Sequence, residues 1–175
     1  VPHGTILQTF AMTKKIIIFN LFFILISCGI ARQRMEIADI LIVPNGKEII
    51  GNKSLNAFVF ENNLKNIPFQ QYITTKFKSN NLLEKELWIS IDKDKFKLIF
   101  YDNDEFEKYF GTSNYTAINQ ETEANKSGNN SKFIAISIIN EQNQDCLVDN
   151  SLYQNIAISY LKKLKDNYLK NNGQL

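Results

Sequence analysis

Leu87-Trp88-Ile89-Ser90-Ile91-Asp92-Lys93-Asp94-Lys95-Phe96-Lys97-Leu98-Ile99-Phe100-Tyr101 is the stretch that decides the fold. Leu87, Ile89 and Ile91 alternate with Trp88 and Ser90. Phe96, Leu98 and Phe100 alternate with Lys97, Ile99 and Tyr101. A period of two sends successive side chains to opposite faces, so each run is a strand with one apolar face. Asp92-Lys93-Asp94-Lys95 supplies the polar turn between them, and the whole predicts a β-hairpin. Trp88 and Tyr101 lie opposite the main stripe of their strands. They are candidates for a binding face or for a second packed layer.

On the C-terminal side, Asp102 to Phe110 reads as a short helix. Asp102 can cap it, Glu105 completes a capping-box pattern, and Gly111 suits its end. Residues 112–131 lack periodicity and are rich in Asn, Thr and Ser, which predicts a long polar loop. Phe133 to Ile139 is apolar on nearly both faces and reads as a central strand of a covered sheet. Cys146-Leu147-Val148 is a candidate to pair back. A last helix is expected from Asn150 or Ser151. Its stripe is Leu152, Tyr153, Ile156, Ala157, Tyr160, Leu161, Leu164 and Tyr168, with Lys162, Lys163, Lys165, Asp166 and Lys170 pointing mostly outward.

On the N-terminal side, Ile40 to Val43 is a short strand closed by Pro44-Asn45-Gly46. Ala57 to Phe60 is another. Pro68 opens a helix bearing Phe69, Tyr72, Ile73 and Phe77, which Ser79-Asn80-Asn81 ends. The expected architecture is α+β: one small domain over residues 39–175, a mostly antiparallel sheet with helices packed on one face.

The 175 residues are 44% hydrophobic, enough for one domain with a core. Lys14 and Lys15 are the only charges before Cys28, so the rest of the chain holds 18 basic and 18 acidic residues. A neutral domain gives no electrostatic case for nucleic acid. The one histidine, His3, precedes the apolar segment, which leaves the domain without the commonest general base and metal ligand. No cofactor or metal fingerprint, and no nucleophile-elbow or phosphate-loop motif, occurs. The acids Asp102, Asp104, Glu105 and Glu107 suggest calcium. The sixth position of a calcium loop counted from Asp102 is Glu107, where that loop needs Gly, so a capped helix start is preferred. Cys146 is flanked by Asp145 and Asp149, the wrong sign to activate a thiol, and reads as a small buried hydrophobe. The Asn-x-Ser/Thr sites at Asn52, Asn114, Asn125 and Asn129 follow from an Asn-rich composition.

The N-terminal stretch has its own logic. Met12 is a natural start, with residues 1–11 as an extension of the gene. Lys14 and Lys15 form a positive region, Ile16 to Ile26 an apolar run, and Leu25-Ile26-Ser27-Cys28 follows. The run is about half the ~20 residues of a spanning helix, which fits a secretory signal. Leu25, Ile26 and Ser27 ahead of Cys28 resemble the lipobox of bacterial lipoproteins. The resemblance covers Met12 to Cys28 only. It implies that residues 1–27 are removed, that Cys28 receives lipid, and that residues 28–38 form a tether. Gly29 after the cysteine implies the outer membrane, and the absence of acids in residues 30–34 implies its periplasmic face. Ordinary secretion, with Ser27 and Gly29 flanking a cut that discards Cys28, is the alternative.

The resulting expectation is a lipid-anchored protein of the cell envelope, held on the membrane through Cys28. Its domain is non-enzymatic and binds another protein or an envelope component, an immunity or inhibitor protein being one version. A lipid- or small-molecule-binding domain is the alternative, with a pocket between Trp88, Tyr101 and the last helix. A hydrolase working with carboxylates alone comes third.

Overall fold

The computed structural model describes residues 34–49, 53–62, 68–78, 85–117 and 132–171. Five strands make the main sheet: β2 (Leu41–Val43), β5 (Ala57–Glu61), β6 (Glu86–Ile91), β7 (Asp94–Phe100) and β9 (Phe133–Asn140). Their order is β2-β5-β9-β7-β6, and every neighbouring pair is antiparallel. Two smaller pairs flank it: β1 (Met35–Ile37) runs parallel to β8 (Tyr115–Ala117), and β3 (Glu48–Ile49) pairs with β4 (Lys53–Ser54). Among the described residues the helices are α1 (Phe69–Phe77), α2 (Asn103–Phe110) and α3 (Gln154–Asn171). The α+β class and the antiparallel sheet are those the sequence predicts. None of these helices is long and apolar enough to cross a membrane.

The predicted hairpin is β6–β7, closed by two residues, with Asp92 at φ 55°. An Asp tolerates this left-handed conformation better than most residues. β9 enters last, between β5 and β7, and is buried along its whole length. Its β-branched run, Ile134, Ile136, Ile138 and Ile139, can be buried on both sides because both sheet faces are covered.

The pleat divides the core in two. On one face Phe58 stands beside Ile136, and Ile136 beside Phe100, while Phe60 pairs with Ile134 and Leu98 with Ile138. Against these pack Phe69 and Ile73 of α1 and Ala157, Leu161, Leu164 and Tyr168 of α3. The last four recur at helical spacing, so one stripe of α3 is buried. Tyr168 lies edge-on to Phe69 at 4.9 Å. On the other face, Ala57, Val59, Phe133, Ala135 and Tyr101 pack under Phe106 and Phe110 of α2, with Ile37 and Tyr115 from the β1–β8 pair. Leu55, Ile99 and Ile139 form a smaller cluster beneath the β3–β4 hairpin.

Several expectations need correcting. The helices do not share one face: α1 and α3 cover one, and the shorter α2 covers the other. This follows from the phase of β7, because Tyr101, opposite the main stripe, has apolar surface that α2 covers. The compact unit begins at Arg34, so the end of the expected tether belongs to it: Met35–Ile37 is β1, and Ile37 is 1% exposed. The expected loop 112–131 begins with a 3₁₀ turn (Thr112–Asn114) and β8, and residues 118–131 lie outside the described residues. The last helix begins at Gln154 because Asn150 sits at φ 67°, a conformation no helix interior admits. Leu152 therefore precedes the helix and is 94% exposed, and Ile156 is also exposed. Lys165 is buried instead of outward. Its stem lies along the buried stripe and its Nζ pairs with Asp39 and, at 3.5 Å, with Asp166. Cys146-Leu147-Val148 forms no strand: a single bridge joins Ile139 to Asp145, and the Cys146 amide donates to the Ile138 carbonyl at 2.9 Å. Ser79-Asn80-Asn81 lies outside the described residues. The end of α1 is capped by Lys78 at φ 52°.

Candidate functional site

The lipobox, Leu25, Ile26, Ser27 and Cys28, lies outside the described residues. The domain itself offers three places where chemistry-bearing side chains gather.

The first is the corner of the sheet at β6. Here the face opposite α1 and α3 bears Trp88, Ser90, Lys95 and Lys97, and Trp88 is 53% exposed. Lys97 stands across from Trp88 in the ladder, with its Nζ 5.1 Å from the ring centroid and 3.0 Å from a Glu86 carboxylate oxygen. An ammonium over an indole is attracted to the ring's negative face. Ser90 pairs with Lys95, whose Nζ lies 4.0 Å from Glu141. A shallow cleft of about 400 Å³ is bounded by Trp88, Ile89, Ser90, Lys95 and Glu141. A large exposed aromatic surface ringed by charges of both signs suits recognition of a partner surface.

The second place is a cleft of about 410 Å³ between the starts of α1 and α2, reached by Asn62, Pro68, Gln70, Asp102, Asp104 and Phe133. Asp102 and Asp104 are two of the four acids the sequence raised for calcium. Asp102 accepts from the Glu105 amide at 2.8 Å, and Glu105 accepts from the Asp102 amide at 3.1 Å, a complete capping box. Lys85 lies 2.5 Å from Asp102 and 3.2 Å from Glu105, and Lys47 lies 2.8 Å from Glu105. The hydrogen bond from Lys85 holds the Asp102 carboxyl below its usual range. For Glu105, burial acts to raise the value, but Lys47, the Asp102 amide and Lys85 outweigh it and the net shift is downward. Glu107 accepts from the Thr112 amide. Both box carboxylates are thus held as anions and engaged by partners, whereas a general acid at neutral pH needs its pKa raised. Among the described residues, no three His, Cys, Asp or Glu side chains converge as a metal set.

The third place is a buried polar chain. Tyr101 is 8% exposed. Its hydroxyl shares a hydrogen bond with Ser137 Oγ at 2.9 Å and accepts from the Lys47 amide at 2.9 Å. Ser137 donates to the Asn56 carbonyl at 2.6 Å, and the Asn56 amide donates to Asp145. Asp145 also accepts from the Leu147 amide. Each link satisfies a polar group inside the fold. Tyr101 therefore belongs to the second packed layer and does not join Trp88 in an exposed face. Among the described residues, Trp88 and Tyr101 do not form the expected pocket with the last helix, because α3 covers the opposite face of the sheet.

Cys146 is fully buried, and burial, with Asp145 adding to it, pushes its thiol up to about 12. At neutral pH it is a thiol without nucleophilic character, as the flanking acids suggest. The Lys47–Lys85–Asp102–Glu105 cluster escaped sequence reasoning because the two lysines come from distant segments. The Asp102/Glu105 spacing was its only local signal.

No protein-family model, curated protein or solved structure matches this chain.

Proposed function

We propose that this chain is the precursor of a bacterial lipoprotein, anchored in the cell envelope through lipid on Cys28. Its α+β domain would act by binding a protein partner instead of by catalysis. The observation that carries the anchoring is the ordered series of Lys14-Lys15, the apolar run Ile16 to Ile26, and Leu25-Ile26-Ser27 ahead of Cys28. Lipid works here through burial, each methylene contributing ~0.8 kcal/mol, so that two or three chains hold a protein firmly and one does not. Gly29 and the acid-free residues 30–34 favour the periplasmic face of an outer membrane.

The binding part of the reading is supported by the contrast between the sites. Asp102 of the cleft is tied with Glu105 into a helix cap and the thiol of Cys146 is buried, while Trp88 is offered to the surroundings. The deciding experiment is intact mass of the chain from membrane fractions, wild type against Cys28→Ser. A chain beginning at Cys28 with added acyl mass, lost in the variant, supports the anchor. A soluble, unlipidated chain in both would refute it. A pull-down from envelope extract with wild type and Trp88→Ala tests the domain. Recovery of one protein by the wild type alone is expected, and equal recovery by both would refute the role of Trp88.

A further inference from the structure

We propose that the outer edge of β6 pairs antiparallel with β6 of a second copy of this chain, with Trp88 opposite the partner's Trp88. β6 is an end strand of the sheet, and among the described residues nothing pairs with its outer side. The two-residue turn fixes which groups face out. Ile91 and Asp94 flank the turn and bond each other, so Ile91, Ile89 and Leu87 direct their N–H and C=O toward β7. The bond from the Phe100 amide to the Lys85 carbonyl, 2.8 Å, keeps the same phase. Glu86, Trp88 and Ser90 therefore present their N–H and C=O outward.

The sheet's two ends differ in how they are guarded. β2, at the other end, has three residues and runs into Pro44. β6 has six, four of them apolar, with no Pro and no bulge. Short strands and Pro are the usual protection of an edge, and β6 has neither.

Self-pairing about a two-fold axis normal to the sheet keeps every side chain on its own face. Residues can then oppose each other only if their numbers share parity, and charge selects among those registers. With Trp88 on the partner's Trp88, Leu87 meets the partner's Ile89 and extends the apolar layer that α1 and α3 cover. Glu86 meets the partner's Ser90, behind which stands the partner's Lys95. Lys97 flanks each indole. Glu86, Trp88 and Ser90 then find backbone partners for all their outward groups. Sliding so that Ile89 faces the partner's Ile89 puts Glu86 against the partner's Asp92, twice, and like charges directly opposite are destabilising. Sliding the other way sets Lys85 against the partner's Ile89 on the apolar face. Two six-residue strands bury less than a standard interface, so the dimer is weak and concentration-dependent.

The test is sedimentation velocity on the full chain in mild detergent, from about 1 to 200 µM, a range that spans weak complexes. The wild type is expected to pass from monomer to dimer across the series. Ser90→Pro removes an outward N–H while leaving the β6–β7 ladder intact, and should weaken dimerisation at least ~10-fold. Trp88→Lys and Trp88→Glu should each be monomeric at the highest concentration, and their equimolar mixture should dimerise again. Circular dichroism and urea midpoints establish that each variant is folded. A wild type that stays monomeric, a dimer that survives both Ser90→Pro and Trp88→Lys, or a folded mixture that stays monomeric would overturn the proposal.

Discussion

Gly46→Ala is the most informative single change to the fold. Gly46 is buried where the chain turns from β2 toward β3, and its φ lies outside the left-handed region, so the constraint is one of space. A Cβ there would stand 2.4 Å from the Tyr101 hydroxyl and 2.8 Å from the Leu55 carbonyl oxygen, both closer than real Cβ contacts allow. The carbonyl is fixed, because it accepts the Gly46 amide at 2.7 Å. The hydroxyl is fixed by Ser137 and the Lys47 amide. Overpacking of this kind costs about 1–3 kcal/mol. Losing one buried hydrogen bond as the chain backs away adds about 1 kcal/mol. We expect Gly46→Ala to destabilise by about 2–4 kcal/mol in urea unfolding followed by circular dichroism. Tyr101→Phe removes the nearer obstacle and alone should cost about 1–3 kcal/mol, since the Lys47 amide loses its acceptor. In the double variant the nearest ring atom is 3.2 Å from the new methyl, so the combined cost should fall short of the sum by at least about 1 kcal/mol. A Gly46→Ala variant within about 0.5 kcal/mol of wild type, or a strictly additive double variant, would refute the reasoning.

Asp102→Ala should cost about 1 kcal/mol by loss of the N-cap. The folded-state pKa values of Asp102 and Glu105 are depressed, so their contribution is fully present above the ordinary carboxylate range and is lost as pH falls from that range through the lowered folded-state values. The acid limb of a stability–pH curve should therefore flatten in Asp102→Asn with Glu105→Gln, and an unchanged limb would count against the cluster. Lys85, raised chiefly by its bond to Asp102, acts at the other end: its contribution is present below its ordinary pKa and declines at strongly alkaline pH. In a Cys28→Ser background, Cys146 should resist iodoacetamide at pH 8 while folded and react once unfolded in urea. Fast native labelling would contradict its burial. Trp88 is the single tryptophan, so at low protein concentration its emission should be red-shifted and readily quenched by acrylamide. A blue-shifted, protected emission there would contradict the exposed corner.

The sequence by itself determined the features whose information is local. Alternation of side chains placed the β6–β7 hairpin, because a period of two can bury only what the pleat presents, and an apolar run on nearly both faces placed the doubly covered β9. The Asp102/Glu105 spacing and Gly111 located α2, because a helix start needs acceptors for its free amides and its end suits a residue with open φ. The buried stripe Ala157, Leu161, Leu164 and Tyr168 was legible from its helical spacing. What only the tertiary structure decided depends on neighbours that arrive from far along the chain. Met35–Ile37 carries no strand pattern of its own and becomes β1 only because Tyr115–Ala117 lies beside it. Tyr101 and Trp88 look alike in the alternation, yet α2 covers one and leaves the other exposed. Lys165 is buried because its stem follows the stripe and Asp39 meets its charge. Periodicity fixes which side of an element a residue occupies. Whether that side is covered, and by what, is settled by packing between segments that the sequence keeps apart.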